Sequence, residues 1–191
     1  MHYIVGLGNP GEKYEMTRHN AGRIVLAAFL KAHDMPAPVA SAKYVSLISE
    51  ADDAFLMFPE TFMNKSGSAV AKIVTSAKKA KNLVVVYDDM DLPLGSIKIS
   101  FGRSSGGHNG VESIIKTLKT KDFVRIRVGI CPATPTGKLR KPKGEQKILD
   151  FLMGDFKTAE LDVLKKVSKK ITEAIDIIMA EGHVQAMNQF N

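Results

Sequence analysis

The run Leu83-Val84-Val85-Val86 constrains the fold of this chain more than any other feature of the sequence. Four consecutive apolar residues, three of them β-branched, do not alternate between a buried and an exposed side. The run therefore predicts a strand at 82–88 that is buried on both faces. Strands of this kind are typical of parallel sheets whose two faces are covered by helices.

Similar strand patterns recur along the chain and alternate with helical ones. Short apolar segments predict further strands at 2–8, 43–49, 54–59, 97–101 and 123–130. Apolar residues at helical spacing predict a helix that begins at Asn20 and others at 66–77, 109–118 and about 157–181. The interleaving predicts an α/β fold around a mixed, mainly parallel β-sheet. With 191 residues, we expect a single domain, 1–191.

Positive charge is concentrated in one part of the chain. The net charge is +7, and ten basic residues stand against two acidic ones between Lys116 and Lys147. A basic surface attracts phosphodiesters through counterion release, so a nucleic acid is one expected partner. A solvated basic face that maintains solubility explains the same pattern, and charge alone leaves both interpretations open.

The sequence lacks the patterns of secreted and membrane proteins. Cys131 is the only cysteine, which excludes an intrachain disulfide and favours a reducing compartment. No signal-peptide pattern precedes the first glycines, and the longest apolar runs are too short to span a bilayer. We therefore expect a cytoplasmic protein without a membrane partner.

The spacing Gly6-x-Gly8-x-x-Gly11 matches the fingerprint of dinucleotide-binding proteins, but its surroundings do not fit. Pro10 lies where a helix should be forming, and helical periodicity resumes only near Asn20. The acidic group around Glu50 lies about twice as far downstream as a ribose-binding carboxylate should. The glycines instead predict a sharp turn of the backbone that places Asn9 at a cleft.

Two histidines and an aspartate are the first candidates for chemistry. His19 lies between a loop and the predicted helix, and its ordinary pKa near neutrality suits a general base. Asp88 ends the predicted central strand, where ligand sites of α/β sheets gather, and a carboxylate there can orient an imidazole. His108 competes with His19 for the role of base. The structural alternatives are an exposed loop histidine and an aspartate that forms a turn.

Three asparagines lie where loops meet predicted elements: Asn9, Asn64 and Asn109. A helix cap or a local turn explains any one of them. An uncharged amide can also hold a peptide backbone or polarise a carbonyl group. No serine lies in a nucleophile elbow, and no histidine or cysteine cluster has the spacing of a metal site, so we expect no metal.

Five longer motifs occur in order along the first 110 residues. They are Gly6-Leu7-Gly8-Asn9-Pro10-Gly11, Tyr14-x-x-Thr17-Arg18-His19-Asn20-x-Gly22, Pro59-x-Thr61-Phe62-Met63-Asn64-x-Ser66-Gly67, Asp88-Asp89-Met90-Asp91-Leu92-Pro93-x-Gly95 and Gly106-Gly107-His108-Asn109-Gly110. In this order they resemble the successive signatures of bacterial peptidyl-tRNA hydrolases. Later blocks at 123–130 and 151–156 extend the resemblance over nearly the whole chain.

The resemblance implies a monomer with a twisted sheet wrapped by helices. It implies cleavage of the ester between peptide and tRNA without a metal or another cofactor. His19 would be the general base and Asp88 its orienting partner, and the amide group of Asn9 or Asn64 would stabilise the negative charge that develops on the ester carbonyl. The residues implied to bind the peptidyl part are Tyr14, Phe62, Met63, Asn64, Gly106, His108 and Asn109.

The resemblance also implies where tRNA is contacted. Arg127, in a basic strand, is an implied contact for a tRNA phosphate. Ser100 and Gly102 stand where the family often carries a tRNA-binding lysine or arginine, so Lys98 and Arg103 beside them are the candidates. The segment at about 132–150 is rich in proline, glycine and basic residues, and we expect it to be a mobile lid followed by a C-terminal helix at 157–181.

Three other functions are compatible with parts of this pattern. A non-catalytic RNA-binding relative would keep the fold and the charge without the chemistry. A nicotinamide-dependent oxidoreductase would use the glycine motif. An esterase or amidase acting on small substrates would use the same histidine and aspartate.

Overall fold

The computed structural model describes residues 1–191 as seven strands and seven helices. The strands are β1 (His2–Gly6), β2 (Val39–Ser41), β3 (Ser46–Glu50), β4 (Ala54–Pro59), β5 (Leu83–Pro93), β6 (Ile97–Phe101) and β7 (Val124–Cys131). The helices are α1 (Ala21–Ala32), α2 (Ser66–Val70), α3 (Ala77–Lys81), α4 (Asn109–Leu118), α5 (Glu145–Met153), α6 (Thr158–Glu181) and α7 (His183–Phe190). Short 3-10 turns lie at 12–14, 18–20 and 63–65.

All seven strands form one sheet in the order β2-β3-β4-β1-β5-β7-β6. The four strands β4, β1, β5 and β7 are parallel to their neighbours within this group, while β2, β3 and β6 add antiparallel pairs at the two edges. The predicted α/β fold with a mixed, mainly parallel sheet is confirmed.

The strand β5 is buried on both faces, as its sequence predicts. Val84 and Val86 contribute to one apolar cluster, which α1, α6 and α7 cover, while Val85 and Tyr87 contribute to a second cluster, under α2 and α4. Burying a side chain of this size contributes about 1.5–3 kcal/mol to stability. Both faces of this strand therefore hold the fold together.

A close approach at Gly22 fixes where α1 begins. A Cβ atom at this position would lie 2.2 Å from the carbonyl oxygen of Val86 and 2.9 Å from the backbone nitrogen of Leu7. Only glycine lets the first turn of the helix lie against β1 and β5 at this distance. The turn that precedes α1 is consequently held at the carboxyl ends of these two parallel strands, where ligand sites of α/β sheets form.

Several predicted boundaries are wrong. The helix predicted at 66–77 ends at Val70, and a second helix, α3, begins only at Ala77, where the extended Ser76 caps it by accepting the backbone N–H of Lys79. The strand predicted to end at 88 continues to Pro93 through an irregularity in its pairing with β7. The predicted strand 43–49 begins only at Ser46, after Val45, whose φ is 50°.

Four elements were not predicted: the short edge strand β2 and the helices α3, α5 and α7. The segment expected to form a lid is irregular as far as Gly144 and then enters α5, and the C-terminal helix is α6. None of the helices is both long and apolar enough to cross a membrane.

Candidate active site

The carboxylate of Asp88 lies between two histidines. Its Oδ1 atom is 2.9 Å from Nδ1 of His19 and 3.0 Å from Nε2 of His108, and its Oδ2 atom is 3.1 Å from the same Nδ1 of His19. Asp88 is 2% exposed and His19 6%. The three groups come from β5, from the turn before α1 and from the residue before α4, so the fold brings together positions far apart in sequence.

The hydrogen-bond partners assign different roles to the two histidines. His108 caps α4 by accepting the backbone N–H of Val111 on Nδ1, at 3.3 Å, so its remaining proton lies on Nε2 and is donated to Asp88. His19 donates from Nδ1 to Asp88, and its Nε2 makes no hydrogen bond within the protein. Of the two candidates for the base, only His19 keeps a free ring nitrogen.

Burial and charge act in opposite directions on these groups. Burial by itself raises the pKa of the Asp88 carboxyl, but the attraction of a protonated imidazole beside it and the hydrogen bonds of His19 and His108 lower this pKa far below its ordinary value. Burial lowers the pKa of His19, and the charge and hydrogen bond of Asp88 raise it to a net value above 6.5. The pair is therefore held as a carboxylate beside a strengthened base.

Asn9 is held in one orientation by its neighbours. Its side-chain oxygen accepts the backbone N–H of Met63 at 2.8 Å, so its amide nitrogen points away, towards the sulfur of Met153 at 3.9 Å. Its backbone N–H and C=O are both bonded to the side chain of Asn20, at 2.8 and 3.0 Å. The thioether is a weak acceptor, so the Asn9 amide remains able to donate to a stronger one.

A cleft of about 170 Å³ opens beside the two histidines. It is lined by His19, Asp88, Asp89, Met90, Asp91, Ser105, Gly106, Gly107, His108, Asn109, Ile148 and Leu152. Five predicted site residues thus meet in one cavity, including Gly106 and Asn109 from the loop before α4. The last two lining residues belong to α5, which forms a wall of the cleft.

The other predicted peptide-binding residues lie outside this lining. Phe62 and Asn64 are exposed on the 3-10 turn beside Met63, which is itself buried against Gly110 of α4. Tyr14 is half-buried at the end of the 3-10 turn 12–14, which precedes the turn that carries His19, and it lies under the ammonium group of Lys13.

The predicted tRNA contacts cluster at the β6–β7 edge. Lys98 pairs with Arg127 across these strands, and Arg103 follows β6; Lys98 and Arg103 are exposed. The guanidinium of Arg127 donates from Nε to Asp89 Oδ2 at 2.6 Å, a partner that the sequence did not predict. Lys141 forms a further ion pair with Asp91, so two basic side chains meet acidic ones at the rim of the cleft.

Two residues of the site were missed as functional candidates. Arg18 and Asn20 flank His19, and both are buried despite their polarity. The signal that could have found them is the run Arg18-His19-Asn20 at the start of an apolar helix, since buried polar groups need partners.

The side chains of His19, Asp88 and His108 also form the one group in the chain with the composition of a metal site. His19, Asp88 and His108 offer donor atoms within 4.8 Å of one another. The facing atoms are already joined by hydrogen bonds of 2.9 and 3.0 Å, which a coordinated ion would have to replace. Proton transfer by His19 keeps these hydrogen bonds in place, whereas metal binding would break them.

Comparisons with known proteins agree with one another. The family model described as Peptidyl-tRNA hydrolase matches residues 3–191. Proteins named peptidyl-tRNA hydrolase from Carboxydothermus hydrogenoformans and Pseudothermotoga lettingae are each 39% identical to this chain, over 100% of it and 98% and 97% of their own lengths. The crystal structure of peptidyl-tRNA hydrolase from Acinetobacter baumannii superposes with a TM-score of 0.87 at 26% identity, covering 100% of this chain and 94% of that one. This chain belongs to the peptidyl-tRNA hydrolase family.

Proposed function

We propose that this protein hydrolyses the ester that joins a peptide to the terminal ribose of tRNA, releasing the peptide and free tRNA. The observation that carries the proposal is the buried Asp88 carboxylate bonded to His19, whose second ring nitrogen has no protein partner and whose side chain lines the cleft. Family membership and the names of the similar proteins support the same reaction.

The proposed reaction begins with proton removal by His19. Nε2 takes a proton from water as the water oxygen attacks the ester carbonyl, and Asp88 stabilises the imidazolium that forms. The tetrahedral intermediate then collapses, the bond to the ribose oxygen breaks, and the imidazolium returns its proton to that oxygen. Water contributes its hydroxyl group to the peptide and its proton to the tRNA, so no covalent enzyme intermediate is required.

The amide groups hold the peptidyl part in this proposal. The free amide nitrogen of Asn9 donates to the carbonyl oxygen as charge develops on it, a contribution of about 3–4 kcal/mol where such donors have been removed from other enzymes. Asn64 and Asn109, both exposed, offer further amides to the peptide backbone. Peptide-backbone contacts tolerate any side chain. The remaining contacts are assigned to Tyr14, Phe62, Met63, Gly106 and His108.

The basic edge of the sheet binds tRNA through phosphates in this proposal. Lys98, Arg103 and Arg127 supply charge that does not depend on base sequence. The segment at about 132–150 acts as a lid, of which the irregular part before α5 is the part that moves. We further propose that the protein works in the cytoplasm as a monomer, without metal or cofactor.

The proposal is tested with N-acetylated aminoacyl-tRNA as substrate. We expect rapid release of the N-acetylated amino acid and much slower release from the same tRNA carrying a free amino acid or from small acyl esters. Comparable rates on small esters would contradict the proposal and favour a general esterase. Tight tRNA binding without release would favour a non-catalytic RNA-binding relative.

The nicotinamide alternative lacks structural support. Gly11 has a φ of 100° and is followed by two 3-10 turns, so α1 begins ten residues later rather than at the glycine motif. A dinucleotide site needs the helix N-terminus directly after the glycines.

A further inference from the structure

The turn that carries His19 is joined to the chain just after α5, because residues 16–18 pair with residues 154–156. The backbone N–H of Arg18 donates to the carbonyl oxygen of Gly154 at 3.1 Å. The backbone N–H of Phe156 donates to the carbonyl oxygen of Met16 at 2.9 Å. Thr17 and Asp155 form a β-bridge between these bonds. The residue before His19 is therefore attached to Gly154, the residue that directly follows α5.

The side chain of Arg18 strengthens this attachment. Its Nη1 donates to the carbonyl oxygen of Gly154 at 3.1 Å, and its Nη2 donates to Oε2 of Glu160 at 2.8 Å. The guanidinium also lies 4.7 Å from the ring centre of Phe151 and 5.5 Å from that of Phe156. Arg18 is 8% exposed, so this planar group is fixed from several directions.

The helix α5 needs such an anchor because it has no buried residue of its own. It nevertheless supplies Ile148 and Leu152 to the lining of the cleft, and Met153 places its sulfur 3.9 Å from the amide nitrogen of Asn9. Phe151 and Leu152 pack against the apolar cluster under α1 and α6 but are only partly buried, so apolar contacts hold this helix less firmly than a buried one. Its position over the cleft therefore also depends on the bonds at its C-terminal end.

We propose that Arg18 is a positioning residue that fixes α5 as the apolar wall of the peptide site. Its guanidinium holds Gly154, and through it the last turn of α5, at a set distance from His19. The inference rests on the proposed function, because the wall acquires its purpose from the acyl group bound beside it. The ligand group that this wall would contact is an apolar acyl group or an apolar peptide side chain.

The first test compares steady-state constants of Arg18→Gln, Arg18→Lys and Glu160→Gln on N-acetylated aminoacyl-tRNA. The wall contacts substrate and transition state alike, so Arg18→Gln should raise KM about tenfold and change kcat less than about threefold. Arg18→Lys keeps the positive charge but not the planar set of N–H donors, so its KM should lie between those of wild type and Arg18→Gln. Glu160→Gln preserves the acceptor oxygen and should raise KM by a smaller factor.

The second test does not depend on activity. The chain has no tryptophan, so Leu149→Trp, at a half-exposed position on α5, gives a single fluorescent reporter. Arg18→Gln in this background should lower the fluorescence anisotropy of the indole, and Arg18→Lys should restore part of it.

Unchanged anisotropy would overturn the proposal, and so would equal losses of kcat and kcat/KM at an unchanged KM. An inactive wild-type protein would refute the proposed function instead, and the anisotropy of the reporter would still decide whether Arg18 anchors α5.

Discussion

The Nδ1 atom of His19 lies 2.9 Å from Oδ1 of Asp88, with both side chains almost completely buried. The carboxylate outweighs burial and raises the pKa of His19 above 6.5. A base works only in its neutral form, so kcat/KM, which reports the free enzyme, should increase with pH through this raised pKa and then reach a plateau. A profile of kcat/KM against pH checks this, and a midpoint at or below the ordinary histidine pKa would contradict the account.

Asp88→Asn tests the double hydrogen bond directly. Both histidines donate to this side chain, and an amide offers only one acceptor oxygen, while its NH₂ group faces an N–H. We expect kcat to fall by about 10²- to 10⁴-fold, because His19 loses the partner that sets its tautomer. NMR titration should show the pKa of His19 falling, since burial then acts alone. A retained raised pKa would disprove the assigned cause.

Gly22→Ala tests the close packing of α1 against β5, which positions the turn that carries His19. The added Cβ would meet the Val86 carbonyl oxygen at 2.2 Å, so α1 must move away from β5. We expect the free energy of unfolding to fall by about 1–3 kcal/mol or more, as overpacking does elsewhere. Ala27→Gly, at an exposed position of the same helix, is the control and should lose about 1 kcal/mol. Urea unfolding measures both, and an unchanged Gly22→Ala midpoint would refute the close approach.

The ion pair between Arg127 and Asp89 predicts opposite effects on tRNA binding. Arg127→Gln should weaken binding and reduce the slope of log K against log salt by about 1, as expected for one lost phosphate contact. Asp89→Asn frees the guanidinium and should strengthen binding. Lys165→Gln, on an exposed part of α6, is the control and should change neither quantity. Equal slopes for wild type and Arg127→Gln would show that Arg127 does not meet a phosphate.

Local patterns were sufficient to predict the parallel sheet and the residues at its carboxyl edge. The apolar side chains of the run at Leu83 are all buried only if helices cover both faces of the sheet. The polar residues that follow such a strand then lie at the carboxyl edge of the sheet. His19 and Asp88 were predicted on these grounds and on the resemblance, and the structure places them in hydrogen-bond contact.

Contacts between distant segments were not accessible from such patterns. The bonds of Arg18 to Gly154 and Glu160 span more than 130 positions, and no periodicity of either segment encodes them. The start of α3 is set by one serine, Ser76, whose side chain caps the helix by accepting the backbone N–H of Lys79. The choice between His19 and His108 as base needed the partner of each ring nitrogen.

The most direct test of the central claim is single-turnover release from N-acetylated aminoacyl-tRNA, in excess chelator, by wild type and His19→Asn. His33→Asn is the control, because His33 pairs with Asp176 on the surface, directly after the C-terminal end of α1. The account predicts full activity for wild type and His33→Asn, and a loss of about 10²- to 10⁴-fold for a folded His19→Asn protein. A folded His19→Asn protein with near wild-type rates, or a wild type silenced by the chelator, would contradict it.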